Sequence, residues 1–332
     1  KFVLGSPREG AARAMQVTTM FDVGGEQVQA YNDALFAQVR QKYAVQPNFL
    51  AKFDMKSLRM FGGKGGNLMA FTLDKRYLVK EISSDDQQSM LKHARTIIAR
   101  QMTGESLICP LFLHFTRQGK NYVVMLNVLP ADSGVIWHKK YDLKGNRDDK
   151  LLEDDGRDVV EVHKRCFYCH NCWYGCDVIP CCTTMERKRY FLGKKHAFET
   201  EFITSDAQAK RIVSMVTGDA KLLGEAGVMD YSLIIGIIRQ GEKESIPPAD
   251  GRNQFVFTYG GWTYVYYMGI IDFLQEWTST KKIAAVIKAP LAPKPLSTVP
   301  PQQYADQFAR AMQGKFKGLG SSRPEGAVIA RI

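Results

Sequence analysis

Nowhere in these 332 residues does an apolar run reach the roughly 20 positions that a membrane span requires, so no spanning helix is expected. The N-terminal residues lack a signal-peptide pattern; because the chain begins at Lys1 without a methionine, an upstream segment is left open. Nucleic-acid motifs are missing as well. There is no pair of sheet aromatics and no recognition-helix pattern, so the net charge of +11 points to an anionic membrane surface as partner and not to a nucleic acid. Cysteine is nearly absent outside one window. Six of the seven cysteines fall between Cys166 and Cys182, and such clustering favours metal binding or lipidation over disulfides.

What the chain does contain is ordinary globular material, 45% hydrophobic and 24% charged, long enough to bury a core as one large domain or two parts. Two apolar runs stand out. Leu233 to Ile238 is rich in isoleucine, too short for a span, and preceded by a single carboxylate, Asp230. Tyr264 to Ile271 is a second strand-like run and delivers Asp272 at its end. A carboxylate at the mouth of a core strand costs several kcal/mol, by rough estimate, unless a cation or hydrogen bonds meet it. A lone Asp at such a place is usually a turn former, but two of them in the same setting suggest shared chemistry.

Upstream, Leu78, Lys80 and Ile82 fall on one face of a strand by its two-residue period, which gives Lys80 apolar neighbours and a need for an anion. The plain alternative is a snorkelling lysine. The glycine-rich stretch with Gly63, Lys64, Gly65 and Gly66 would let backbone amides approach phosphates; on its own it reads equally well as a hairpin turn. A glycine-rich loop, a strand lysine and two strand-end carboxylates together are the components of phosphoryl transfer, in which one acid orients the attacking hydroxyl and another holds magnesium.

The motifs G-K-G-G-N-L-M-A-F-T (63–72), R-Y-L-V-K (76–80), Y-D-L-K-G (141–145), M-D-Y-S-L-I-I-G (229–236), G-I-I-D (269–272) and V-P-P-Q-Q-Y-A-D-Q-F (299–308) occur in an order that resembles the catalytic domain of the phosphatidylinositol phosphate kinase family. The chain departs from that pattern at Gly65 and Asn67, where serines are usual, and at Ile238, where a histidine is usual.

The resemblance implies an α+β, two-lobed lipid-kinase fold, distantly protein-kinase-like, with antiparallel sheets and flanking helices. Residues 1–126 would form the N-terminal lobe and 127–332 the C-terminal lobe. The implied activity is transfer of the ATP γ-phosphate, with Mg2+, to a phosphatidylinositol monophosphate. Asp230, Lys80 and Lys144 would be catalytic, the last of these near the phosphates only because its motif matches. Gly63, Lys64, Gly65, Gly66, Lys80 and Asp272 would hold the nucleotide, with Asp272 the magnesium ligand. In a specificity loop over 273–301, Lys281 and Lys282 would meet the anionic headgroup. An acidic residue two positions after the paired lysines goes with the 4-phosphate lipid in this family and alanine with the 5-phosphate isomer, so Ala284 leans toward 4-kinase activity, while the commoner occurrence of 5-kinases keeps a phosphatidylinositol-4-phosphate 5-kinase in front. Peripheral attachment at the cytoplasmic face of membranes is expected, and a homodimer is left open. The rivals are an inactive phosphoinositide-binding scaffold and a zinc-bearing interaction module.

The remaining segments read as follows. Residues 146–205 form a cysteine-rich insertion, in which Cys166, Cys169, Cys172 and Cys176 have a spacing that resembles zinc ligation without two separate knuckles; structural zinc, S-acylation and free thiols remain alternatives. Ser205-Asp206 caps a helix running to about Leu223. Pro247 to Gly251 is a loop between the two late strands, and Gln302 to Met312 is a short amphipathic helix through Tyr304, Phe308 and Met312.

Overall fold

The computed structural model describes residues 18–60, 68–130, 135–162, 184–241, 246–278 and 298–321. The first half of the chain builds strands β1 (Thr18–Val23) and β2 (Glu26–Tyr31), helix α1 (Asp33–Lys42), strands β3 (Arg59–Met60), β4 (Leu68–Phe71) and β5 (Tyr77–Ile82), helix α2 (Ser84–Met102), and strands β6 (Leu111–Arg117) and β7 (Lys120–Leu126). The second half supplies β8 (Lys139–Leu143), β9 (Lys150–Asp154), β10 (Arg157–Asp158), α3 (Met185–Glu199), β11 (Phe202–Thr204), α4 (Asp206–Glu225), β12 (Ser232–Gly241), β13 (Asn253–Tyr259), β14 (Trp262–Ile271), α5 (Pro301–Lys315) and β15 (Phe316–Gly318).

These elements make two separate antiparallel sheets. The first has seven strands in the order β1-β2-β6-β7-β5-β4-β3, and the second has six in the order β10-β9-β8-β12-β14-β13. A short parallel pair, β11 with β15, closes the C-terminal part. Helix α2 starts on a capping box, with Ser83 Oγ accepting from the Asp86 amide at 3.1 Å and the Asp86 carboxylate accepting from the Ser83 amide. It buries Met90, Ala94, Ile97, Ile98 and Gln101 along one stripe. Helix α4 begins at Ser205, whose hydroxyl accepts from the Gln208 amide, and buries Ile212, Val216 and Leu223, as the sequence suggests.

The two sheets meet through the segment between α2 and β6. Cys109 donates its amide to the Ile270 carbonyl at 2.9 Å, and Ile270 returns a bond to Leu107. The buried Asp219 of α4 completes the joint, accepting from Arg100 Nε at 2.7 Å and from the Leu107 amide at 2.6 Å. The joint therefore lies two residues before Asp272.

Three sequence expectations are altered. Strand β13 pairs along β14 from Asn253–Met268 to Tyr259–Trp262, so two strands and not only a loop follow β12. The stretch 146–205 is built into the C-terminal part at both ends, as β9 and β10 on one side and α3 and β11 on the other; the cysteine cluster lies outside the described residues. On β5 the buried positions are Tyr77, Val79 and Ile82, so the face of Leu78, Lys80 and Ile82 is buried only at Ile82, and Lys80 and Leu78 are half-buried.

Candidate active site

The register of the second sheet brings the site together. Ser232 opposes Ile271, and Leu233 pairs with Ile270 on one side and Leu143 on the other. Asp230 just before β12, Asp272 just after β14 and Lys144 just after β8 therefore leave three adjacent strands at the same end. Asp230 and Asp272 both have left-handed backbones, at φ +63° and +60°, a region that aspartate enters more readily than most L residues.

Each carboxylate is met by a lysine. Lys144 Nζ lies 2.5 Å from Asp230 Oδ1 and 3.0 Å from the Asp230 carbonyl. Lys80, from the other sheet, pairs with Asp272 Oδ1. Burial alone would lower the Lys144 pKa, but Asp230, then Asp142 and Asp148, outweigh it and hold the ammonium above its usual value. Burial pushes the Asp272 carboxyl up, and Lys80 first, then Lys144 and Lys150, drive it below the ordinary range. Asp272 nevertheless keeps a side chain 53% exposed, so an ionised carboxylate faces open space.

Helix α5 backs this end of the sheet. Tyr304 donates its hydroxyl to the Tyr231 carbonyl, and the two rings pack edge-on with centroids 4.8 Å apart. Gly145, at φ +71°, leaves no room for a side chain, since a Cβ there would stand 2.5 Å from Ala311 Cβ. Beyond Asp272 the chain is stitched to the segment before Asp230. Met229 donates its amide to Gln275 O at 2.9 Å, and Trp277 to Gly227 O at 3.2 Å. Glu276 then reaches α2, with His93 Nε2 3.2 Å and Lys92 Nζ 3.4 Å from its carboxylate.

Of the residues expected to act, the structure unites Asp230, Asp272, Lys80 and Lys144. Gly63, Lys64, Gly65, Gly66, Lys281, Lys282, Ala284, Cys166, Cys169, Cys172 and Cys176 lie outside the described residues. No group of three metal-ligating side chains occurs among the described residues. Sequence reasoning missed Glu276 and His93, which stand far apart in the chain and belong to no motif.

Comparison with known proteins adds the decisive observation. The chain matches the family model for phosphatidylinositol-4-phosphate 5-kinase over residues 54–258 and 250–315. The chain belongs to the phosphatidylinositol phosphate kinase family. Its relatives include phosphatidylinositol 4-phosphate 5-kinase 3 of Arabidopsis thaliana, 24% identical over 84% of this chain and 43% of that protein. The 1-phosphatidylinositol 3-phosphate 5-kinase FAB1 of Saccharomyces cerevisiae is 24% identical over 76% of this chain and 10% of its own length. Phosphatidylinositol 5-phosphate 4-kinase type-2 gamma of Danio rerio is 23% identical over 86% of this chain and 76% of that protein. The chain thus spans less than half of the first two relatives. Where the family usually carries a histidine, this chain buries Ile238 against Trp137, Val265 and Tyr267.

Proposed function

We propose that this chain is a lipid kinase that moves the γ-phosphoryl group of ATP to a hydroxyl of a phosphatidylinositol monophosphate. The observation that carries the reading is the convergence of two lysine–carboxylate pairs at one strand-end cluster, with Lys80 contributed by the opposite sheet. In this reading the two sheets are the cores of an N-terminal and a C-terminal lobe, distantly protein-kinase-like, with the nucleotide held between them.

Asp230 orients the lipid hydroxyl and accepts its proton as the oxygen bonds to the γ-phosphorus. The bond from that phosphorus to the β,γ-bridging oxygen breaks, and ADP leaves with the electron pair. Lys80 and Lys144, paired with carboxylates in the structure, turn toward the phosphates when nucleotide binds. Asp272 would hold magnesium, which supplies neutralisation of phosphate charge. Catalysis is then positioning and electrostatics, and no covalent nucleophile is needed.

The finer reading is a phosphatidylinositol-4-phosphate 5-kinase acting peripherally at the cytoplasmic face of a membrane, with Lys281 and Lys282 on the headgroup. The family model's description supports it. Ala284 favours the second reading, a phosphatidylinositol-5-phosphate 4-kinase. Incubating the protein with ATP, magnesium and each phosphatidylinositol monophosphate in turn, and identifying the bisphosphate formed, decides between them. Turnover on none of the three would overturn the kinase reading in favour of an inactive phosphoinositide-binding protein. Ala284→Glu should shift the turnover ratio toward the 4-phosphate lipid.

A further inference from the structure

Asp149 is completely buried, yet it belongs to none of the motifs above. Its Oδ1 accepts three successive backbone amides, from Lys144 at 2.7 Å, Gly145 at 2.8 Å and Asn146 at 3.3 Å. Its Oδ2 faces Lys315 Nζ at 3.4 Å. Lys315, at the last position of α5 and itself buried, also donates to Ala197 O at 2.6 Å and Phe198 O at 2.8 Å, in the last turn of α3. Three consecutive amides aimed at one point form an anion-binding concavity, and here the chain fills it with its own carboxylate.

We propose that Asp149 is a positioning residue for phosphoryl transfer, fixing the backbone from which Lys144 reaches Asp230 and anchoring it through Lys315 to α3 and α5. This rests on the reading of Lys144 as a phosphate clamp. A buried ion pair is by itself weak evidence for stability, whereas the geometry here is specific. The three amides belong to Lys144 and the two residues after it, and α5 closes the loop from behind by leaving Gly145 no space for a side chain. A catalytic group displaced by about 1 Å can lose about 10²-fold in rate, so holding this loop matters to the chemistry more than to the fold.

The test compares two double variants that both remove the buried charge pair. Asp149→Asn with Lys315→Met keeps a side-chain oxygen to accept the three amides; Asp149→Ala with Lys315→Met does not. We expect the alanine pair to melt below the asparagine pair, because three buried amides lose their acceptor, with faster amide hydrogen exchange at residues 144–146 in the alanine pair only and a kcat for it lower by up to about 10²-fold, the KM for lipid staying nearly unchanged. Equal exchange or equal kcat in the two pairs would overturn the proposal. If either pair does not fold, Asp149→Asn and Asp149→Ala with Lys315 retained are compared in the same way, and equal exchange at 144–146 or equal kcat in those two variants would overturn the proposal. Lys144→Met, assayed for Mg-ATP affinity and turnover, tests the underlying reading separately. Unchanged values there would remove Lys144 from the phosphate site. With Lys144→Met impaired, adding the alanine pair should weaken Mg-ATP binding no further than adding the asparagine pair does; a further loss would mean that Asp149 acts on the structure at large.

Discussion

Lys144 touches Asp230 twice, at 2.5 Å from a carboxylate oxygen and 3.0 Å from the backbone carbonyl of the same residue, so one cation fixes both the side chain and the main chain of the acid. Lys80 meets Asp272 from the other sheet. The two pairs leave the strand-end cluster balanced in charge. In the proposed reading, a bound polyphosphate draws the two lysines away from the acids.

Asp230→Asn and Asp272→Asn should each lower lipid phosphorylation by about 10²-fold or more while melting within a few degrees of the parent. Asparagine tolerates the left-handed backbone that both positions adopt, so the substitution tests charge and not conformation. Turnover and thermal unfolding of the purified variants check this, and near-parental turnover in either would remove that acid from its role.

Gly145→Ala should destabilise the protein and slow the reaction together. The added Cβ meets Ala311 at 2.5 Å on a backbone with φ +71°, so both overpacking and strain act, for roughly 1–3 kcal/mol. Ala311→Gly alone costs about 1 kcal/mol as a glycine inside α5, so the check is a double-variant cycle: Gly145→Ala should cost less on the Ala311→Gly background than on the parent, since the contact is relieved but not the strain. An equal cost on both backgrounds would show that the contact with α5 is not the cause.

Stability should fall as the solution is acidified below neutral pH. His114 is completely buried, neither ring nitrogen has a hydrogen-bond partner among the described residues, and burial pulls its pKa down to about 4. A folded-state value below the unfolded one of about 6.5 means that the contribution is complete above pH 6.5 and is lost between there and about 4 as the unfolded chain takes up the proton first. His93, His138 and His196 are lowered by burial in the same sense. His114→Phe should therefore reduce the slope of melting temperature against pH in this window without flattening it; an unchanged slope would contradict the assignment.

Lys80→Met should cost stability above pH 4 and much less below it. The Asp272 carboxyl is depressed chiefly by Lys80 against the effect of burial, so its pair stabilises the fold above the unfolded pKa of about 3.9 and the gain disappears as pH falls through the depressed folded value. With Asp272 half exposed, the effect is small and weakens with salt. Denaturant titrations of both proteins at several pH values check it, and a difference independent of pH would refute it.

The parts of this fold legible in the sequence are those with local signals. The isoleucine-rich run became β12, the aromatic run became β14, and the Ser205 cap and the Tyr304–Phe308–Met312 stripe became α4 and α5. Strand β13 was not legible as a separate element, because Asn253–Tyr259 follows a proline-rich turn and takes its place from pairing with β14. Lys80 was read as a lysine seeking an anion; the structure supplies Asp272, 192 positions away, and no local pattern encodes that distance. Asp149 was hidden at the start of the stretch 146–205 that read as an insertion, since its partner Lys315 closes α5 and burial of such a pair depends on tertiary packing.

The seam between β15 and β11 has a practical meaning. Strand β15 lies in parallel beside β11 through Phe316–Phe202, Lys317–Ile203 and Thr204–Gly318, and the Gly320 amide donates to Asp206 at the start of α4. A shortened version ending before residue 316 would retain Asp230, Asp272, Lys80 and Lys144, yet it would lose this seam while keeping Lys315 at an unsupported end. The minimal working unit is therefore set by where α5 is tied down, and trimming from the C-terminus should silence the protein well before it removes any group that touches a substrate.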